Sequence, residues 1–464
     1  MIDTATLYGT VRDLGRGLRD GEFTSEELAE AYMDRLRDVG RRLNAVVTVT
    51  EDRALEAARR ADDELGAGRD RGPLHGIPYG VKDLVAARGA PTTWGADPYR
   101  DQQLDHDATV VRRLDEAGGV LVAKLASVEL AGGMGYDQAD ASFTGPGRNP
   151  WNPDAWSGGS SAGPGSAVAA GAVGFALGTE TWGSIVTPSA FCGVSGLRPT
   201  YGRVSRHGVM ALSWTMDKVG PMCRSAEGCE LVLRVLAGPD PRDGTAADRK
   251  YPAGPREPGD DVRLAKLAGT GEEEQPAVRE NFARSLEVLE QFATVEEIEL
   301  PDFPYGAVAG TIIDAEAASA FGDLVESGRI HRLTAPEDRI GGYPQQVVPA
   351  RDYIDALRVR KKFQPALDEA LAPYDAVVGP TRSVVANPIE EEFGPYFGEW
   401  GGPSMGGAAN AAGLPGITVP NGFGDRGLPT SLGFTGRAWD EPVLLALARE
   451  YQRCTDWHRE HPEL

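Results

Sequence analysis

Leu28, Tyr32 and Leu36 recur at the spacing of one helical face, and Thr24 with Glu27 just ahead of them forms a capping box. A second helix is predicted over 52–65, stopped by Gly66. From Pro73 onward the helical period gives way to short apolar runs. Those at 119–123, 175–177, 376–378 and 416–419 read as buried strands between Gly-rich turns and helices. A further amphipathic helix is predicted over 276–292, with Phe282, Leu286 and Leu289 on one face. This alternation predicts a layered α/β fold. The polar stretch 240–261, rich in Pro, Gly and charge, reads as a surface connection. Residues 300–370 carry little pattern, and no solenoid-type repeat is visible.

Composition narrows the function classes. The chain has 464 residues, enough for a sizeable core, with 41% hydrophobic and 25% charged positions. A formal net charge of −22 is poor footing for nucleic-acid binding, which needs clustered Lys and Arg on phosphate. The cysteines Cys192, Cys223, Cys229 and Cys454 form no C-x-x-C pair, which suits a reduced cytoplasmic protein better than a disulfide scaffold. The start, Met-Ile-Asp-Thr, lacks the basic and apolar regions of a signal peptide. The longest apolar stretch, 167–177, is too short to span a bilayer, so no membrane association is expected.

Three segments carry candidate chemistry. Gly76-Ile-Pro-Tyr-Gly-Val-Lys82-Asp83 reads as a turn into an apolar strand ending on a lysine. A lone lysine at a strand end is usually just exposed; one buried there loses water, its pKa falls, and the neutral amine can act as a base. Gly158-Gly-Ser160-Ser161-Ala-Gly163 reads as a flexible linker on composition alone, but it runs straight into the compact apolar stretch 166–175. Gly178-Thr-Glu-Thr181-Trp182-Gly183-Ser184-Ile185 is a strand entering a tight turn with a serine at its end. It is either a plain turn or a set of backbone N–H groups converging on an oxyanion.

Two G-x-S-x-G matches, around Ser161 and Ser404, imitate the nucleophile elbow of α/β-hydrolases. That mechanism needs a histidine base, and none of the six histidines sits in a fitting segment. Zinc, Walker A and dinucleotide-binding patterns are lacking, so neither metal nor cofactor is expected.

Together the three segments resemble the amidase signature family. The match runs from Gly158 through the nucleophile turn into Pro188-Ser-Ala-Phe-Cys-Gly-Val-Ser-Gly-Leu-Arg-Pro-Thr-Tyr-Gly-Arg-Val-Ser205. It extends to Gly76–Asp83, to Asn149-Pro-Trp-Asn-Pro153 and to Asn410-Ala-Ala-Gly-Leu-Pro-Gly-Ile-Thr-Val-Pro420, and is weakest at 240–370. The resemblance implies a single-domain α/β/α sandwich around a mixed, mostly parallel sheet of about eleven strands. It divides the chain into N-terminal helices (1–70), a catalytic core (71–238), a variable region (239–370) and a C-terminal completion of the core (371–464). It also implies a Ser–cis-Ser–Lys triad: Ser184 as nucleophile, Ser160 in a cis peptide, Lys82 as base. The interval of 24 residues between the serines selects Ser160 over Ser161. Backbone N–H groups of Thr181, Trp182 and Gly183, on to Ser184, would hold the oxyanion.

This chain departs from the family's frequent Gly-Gly-Ser-Ile-Arg at two places. Trp182 and Val186 stand where a glycine and an arginine are common. In several members that arginine can meet a substrate carboxylate, so the pair points to an uncharged, aromatic or apolar substrate, a neutral small-molecule amide or carbamate. Three other readings share or dismiss the same chemistry: an amidotransferase A-type subunit making ammonia for charged tRNA, a biosynthetic acyltransferase, and a catalytically dead scaffold. A homodimer is the ordinary prior for such a chain.

Overall fold

Lys82 and the serine turn meet because the strands that end on them lie side by side. The computed structural model describes residues 2–252, 254, 256–259 and 261–464. Its strands are β1 (Val46–Val49), β2 (Pro78–Lys82), β3 (Val120–Leu125), β4 (Phe175–Glu180), β5 (Ser195–Arg198), β6 (Lys218–Cys223), β7 (Val262–Leu267), β8 (Ala293–Ile298), β9 (Ala376–Pro380), β10 (Gly416–Phe423) and β11 (Pro429–Thr435). They form one eleven-stranded sheet in the order β1-β3-β2-β4-β6-β5-β10-β11-β9-β7-β8.

The sheet is mixed, as the resemblance implies, but it is not mostly parallel. Six of its ten pairings are antiparallel. The parallel ones are confined to β3·β2·β4 and β9·β7·β8. The reason is local for β10 and β11: the short link 424–428 allows only a hairpin, whereas a parallel neighbour needs a long crossover.

β2 and β4 run parallel, pairing Tyr79 with Phe175 and Val81 with Leu177. Their alternate side chains, Tyr79, Val81, Phe175 and Leu177, join Leu28 and Tyr32 in the core on one face, while Ala176 faces an Ala-rich cluster on the other. The Tyr79 and Phe175 rings stack at 5.1 Å.

On that second face lies the helix Ala162–Ala169, every residue of which is buried. It enters so deeply because its first turn is nearly free of side chains. A Cβ on Gly163 would fall 2.4 Å from Ala45 O and 2.4 Å from Ala126 N, closer than real atoms allow. The Gly/Ser stretch is therefore a packed loop and helix start rather than a linker.

The N-terminal helices form as predicted. Thr24 caps Ser25–Arg35 in a full capping box, and the next helix spans Glu51–Gly66. The amphipathic helix is Pro276–Leu289, with Phe282 and Leu289 buried and Leu286 partly so. The stretch 240–261 lacks regular structure where described, and its positions 253, 255 and 260 lie outside the described residues. Residues 300–370, which carry little pattern in sequence, are mainly helical, including Tyr305–Ala320, Asp338–Gln345 and Ala350–Leu371. Among the described residues no helix is long and apolar enough to cross a membrane.

Candidate active site

The parallel pairing of β2 and β4 sets the C-terminal end of one beside that of the other. Lys82, the last residue of β2, is fully buried there. Its Nζ donates to Ser160 Oγ at 2.8 Å and to Thr179 Oγ1 at 2.9 Å. Burial lowers the Lys82 amine to about 7, with the charges of Asp217 and Glu180 opposing the fall. A lysine at that value is substantially neutral at physiological pH and can accept a proton.

The Gly159–Ser160 peptide bond is cis. Around it the chain is held from both sides: Ser160 O accepts from Val128 N at 3.1 Å and from Ser127 Oγ at 3.2 Å. Ser161 ties the loop to the sheet instead of facing Lys82. Its Oγ donates to Thr179 O at 3.2 Å and accepts from Thr179 N at 3.3 Å.

Ser184 follows in the turn after β4 and is buried. Its carbonyl accepts from Ser161 N at 3.2 Å, which joins the two serine segments directly. Among the described residues no hydrogen bond links the hydroxyls of Ser160 and Ser184. Gly183 takes φ of 84°, the left-handed value that favours glycine. The N–H groups of Thr181, Trp182, Gly183 and Ser184 have no acceptor among the described residues, whereas those of Ile185 and Val186 both donate to Glu180 Oε2. Unspent backbone donors on a tight turn are groups of the kind that can hold an oxyanion.

Several residues that sequence reasoning does not single out brace this turn. Glu180 lies between Arg198 and the turn, and despite the upward push of burial its carboxyl is held at about 2 by Arg198, Lys218 and the Ile185 N–H. Asp217 accepts from Thr181 Oγ1 at 2.5 Å and from the N–H groups of Leu212 and Ser213. Lys218, a second fully desolvated lysine, is also lowered to about 7; it donates to Asn410 Oδ1 at 2.9 Å and Thr181 O at 3.3 Å. The sequence does carry a signal for it: Lys218 opens the apolar strand β6 as Lys82 closes β2.

Above the turn is a cleft of about 130 Å³. Trp182, Gly183 and Val186, from the turn that carries Ser184, line it. The Trp182 indole is 43% exposed and lies over Gly306 and Gly407, where an added methyl would come within 3.6 and 3.5 Å of it. Arg198 and Arg382 also line the cleft. They come from β5 and from the residues just after β9, brought over by sheet order rather than by proximity in sequence. Arg358 and Arg360 stay away from the cleft: Arg358 pairs with Asp355, and Arg360 donates to Thr215 Oγ1.

The elbow reading finds no support in the geometry. Ser404 is exposed on the cleft rim and accepts from Gly406 N, and among the described residues no histidine ring nitrogen hydrogen-bonds to a serine.

The family profile described as Amidase matches residues 27–445. The chain is 36% identical to the A-type subunit of glutamyl-tRNA(Gln) amidotransferase from Roseiflexus sp. (strain RS-1), over 98% of each chain. Native peptide amidase from Stenotrophomonas maltophilia superposes with a TM-score of 0.84 at 32% identity, covering 98% of both chains. The A-type subunit of glutamyl-tRNA(Gln) amidotransferase from Thermotoga maritima superposes with a TM-score of 0.79 at 28% identity, covering 98% of this chain and 96% of that one.

Proposed function

The chain belongs to the amidase family, and from that premise we propose that it is a serine amidase that cleaves the C–N bond of a small-molecule carboxamide through an acyl-enzyme on Ser184. The observation that carries this reading is the buried Lys82 amine, lowered to about 7 and 2.8 Å from Ser160 Oγ.

In the reading proposed, neutral Lys82 accepts the Ser160 proton while Ser160 accepts that of Ser184. The Ser184 oxygen then attacks the amide carbonyl. The displaced electron pair rests on the carbonyl oxygen, which the free N–H groups of the Thr181–Ser184 turn stabilise. Collapse expels the amine, which takes its proton back through the same chain. Water then attacks the acyl-enzyme by the reverse relay and releases the acid. Rotation of the Ser184 side chain closes the contact between the two serine hydroxyls that the resting arrangement lacks; catalytic hydrogen bonds commonly tighten only when substrate binds.

A second reading, an ammonia-producing member of an amidotransferase complex, is favoured by the 36% identity to the amidotransferase relative over 98% of the chain. It uses the same acyl-enzyme and differs in the partner and in the fate of the ammonia. The lack of any acidic side chain on the cleft wall among the described residues favours the stand-alone enzyme, because a zwitterionic amino acid would find no counter-charge for its ammonium group. The test is release of ammonia from a panel of carboxamides by the purified single chain, with Ser184→Ala as control. Turnover lost in the variant supports the proposal. Turnover only after a co-purifying partner is added back supports the amidotransferase reading, and turnover that survives in Ser184→Ala contradicts both.

A further inference from the structure

Arg382 is a cation in the cleft without a counter-ion. It follows β9 and faces the same space as Trp182 and Val186. Its guanidinium lies 5.1 Å from the Phe397 ring and 6.0 Å from the Phe191 ring. Its Nε is buried with no hydrogen-bond partner. Among the described residues no carboxylate lies within ion-pairing distance of it. The other arginine of the cleft is committed: Arg198 donates to Glu180 Oε1 at 3.0 Å and to Leu414 O at 3.0 Å.

A partly buried guanidinium with an unpartnered Nε and no carboxylate beside it gains when an anion meets it, since two aromatic faces repay only part of the cost of its burial. The polar group that acts on it, the hydroxyl of the half-buried Tyr136, is a phenol whose burial favours its protonated form. The same Tyr136 hydroxyl would come within 3.1 Å of a Cβ on Gly159, so this corner of the cleft adjoins the cis-peptide loop. Phe191 adjoins it too, since its ring would lie 3.2 Å from a Cβ on Gly158.

Nothing on the cleft wall balances a positive substrate. Its lining contains no Asp and no Glu among the described residues. Trp182 and Val186 add apolar surface to the cleft beside the Thr181–Ser184 turn. Such a cleft selects an apolar body with a planar anion that the guanidinium fork can hold through paired N–H donors.

We infer that the cleft takes a carboxamide whose body carries a carboxylate and no ammonium group, with the carboxylate on Arg382. This rests on the amidase reading and names its substrate class. Arg382 then supplies the charge that Val186 lacks, from the far side of the sheet order.

The experiment compares three five-carbon amides in the purified enzyme: valeramide, which is neutral; glutaramate, which adds the carboxylate; and glutamine, which adds the ammonium as well. Benzamide and 4-carbamoylbenzoate repeat the first comparison on a rigid spacer. The expected kcat/KM is about tenfold or more higher for each carboxylate than for its neutral partner, with glutamine below glutaramate. In Arg382→Met the preference collapses to within about threefold, and Arg382→Lys is intermediate because an ammonium offers charge without the fork. Labelling of Ser184 by a fluorophosphonate reports independently that the site is assembled in each protein, and protection from labelling by glutaramate or valeramide reads binding where turnover is slow.

A wild-type enzyme that prefers the neutral amides, or is protected equally by both, overturns the inference while leaving the amidase reading intact. So does a carboxylate preference that survives in Arg382→Met. Failure of both cleavage and Ser184 labelling in wild type is the separate result that removes the amidase reading beneath it.

Discussion

Arg198 holds one oxygen of Glu180 at 3.0 Å, and the other oxygen of that carboxylate accepts the N–H groups of Ile185 at 2.9 Å and Val186 at 3.1 Å. The buried ion pair thus anchors the two residues that follow Ser184, while the four N–H groups before them stay free. Breaking the pair leaves an uncompensated Arg198 in the core. Glu180→Ala is expected to cost about 3–5 kcal/mol of stability, read by urea unfolding. It is also expected to slow Ser184 labelling, because the turn loses its brace. Unchanged labelling would show that Glu180 serves the fold alone.

The activity should follow the protonation of Lys82. Burial lowers this amine to about 7, so kcat/KM is expected to rise through an apparent pKa near that value and to level off above it. A pH–rate profile on a neutral amide tests this directly. Such a substrate does not titrate, so the inflection belongs to the enzyme. A profile flat from pH 5 to 9 would remove Lys82 from the role of base.

The same shift has a consequence for stability, of opposite sign to a salt bridge. Lys82 has a folded value near 7 against an ordinary value of 10.5, so between these limits the unfolded chain binds more protons than the folded one. Stability therefore rises with pH across that window, and the full penalty is felt below it. Lys82→Met is expected to abolish turnover, by about a thousandfold or more. It is also expected to melt higher than wild type at pH 7, with the gap closing towards pH 10.5. A gap that widens with pH would mean that the lysine is charged in the fold.

Thr179 gives a milder test of the same amine. Its Oγ1 accepts from Lys82 Nζ at 2.9 Å and so fixes the direction in which the amine faces Ser160. Thr179→Val keeps the shape and removes the acceptor, at a cost of about 1 kcal/mol. The expected result is a fall in kcat of roughly fivefold with KM little changed.

What is legible in the sequence, and what is not, follows from the range of the interactions involved. Lys82, Ser160 and Ser184 sit in strand-and-turn segments whose pattern is local, and so do Trp182 and the rest of the Thr181–Ser184 turn. The cleft wall is different. Arg382, Thr381 and Thr418 reach it only because β9 and β10 flank β11 in the sheet, and no periodicity along the chain records which strands become neighbours. Thr381 and Thr418 share a hydrogen bond of 2.6 Å across a separation of 37 residues. Strand direction is hidden for the same reason: an apolar run reads alike whether its neighbour is parallel or antiparallel, so the antiparallel centre of the sheet leaves no trace in the pattern. The edge strand β8 escapes as well, because its Val295-Glu296-Glu297 run is largely exposed and lacks the apolar character of the buried strands.

Every step proposed for the reaction requires Ser184 to be the acylated residue. Mass spectrometry of the intact and digested protein after treatment with a fluorophosphonate or phenylmethylsulfonyl reagent measures this most directly. The predicted result is a single adduct on the peptide that carries Ser184, absent in Ser184→Ala and strongly reduced in Lys82→Met. An adduct on Ser161 or Ser404 with Ser184 untouched would contradict the account.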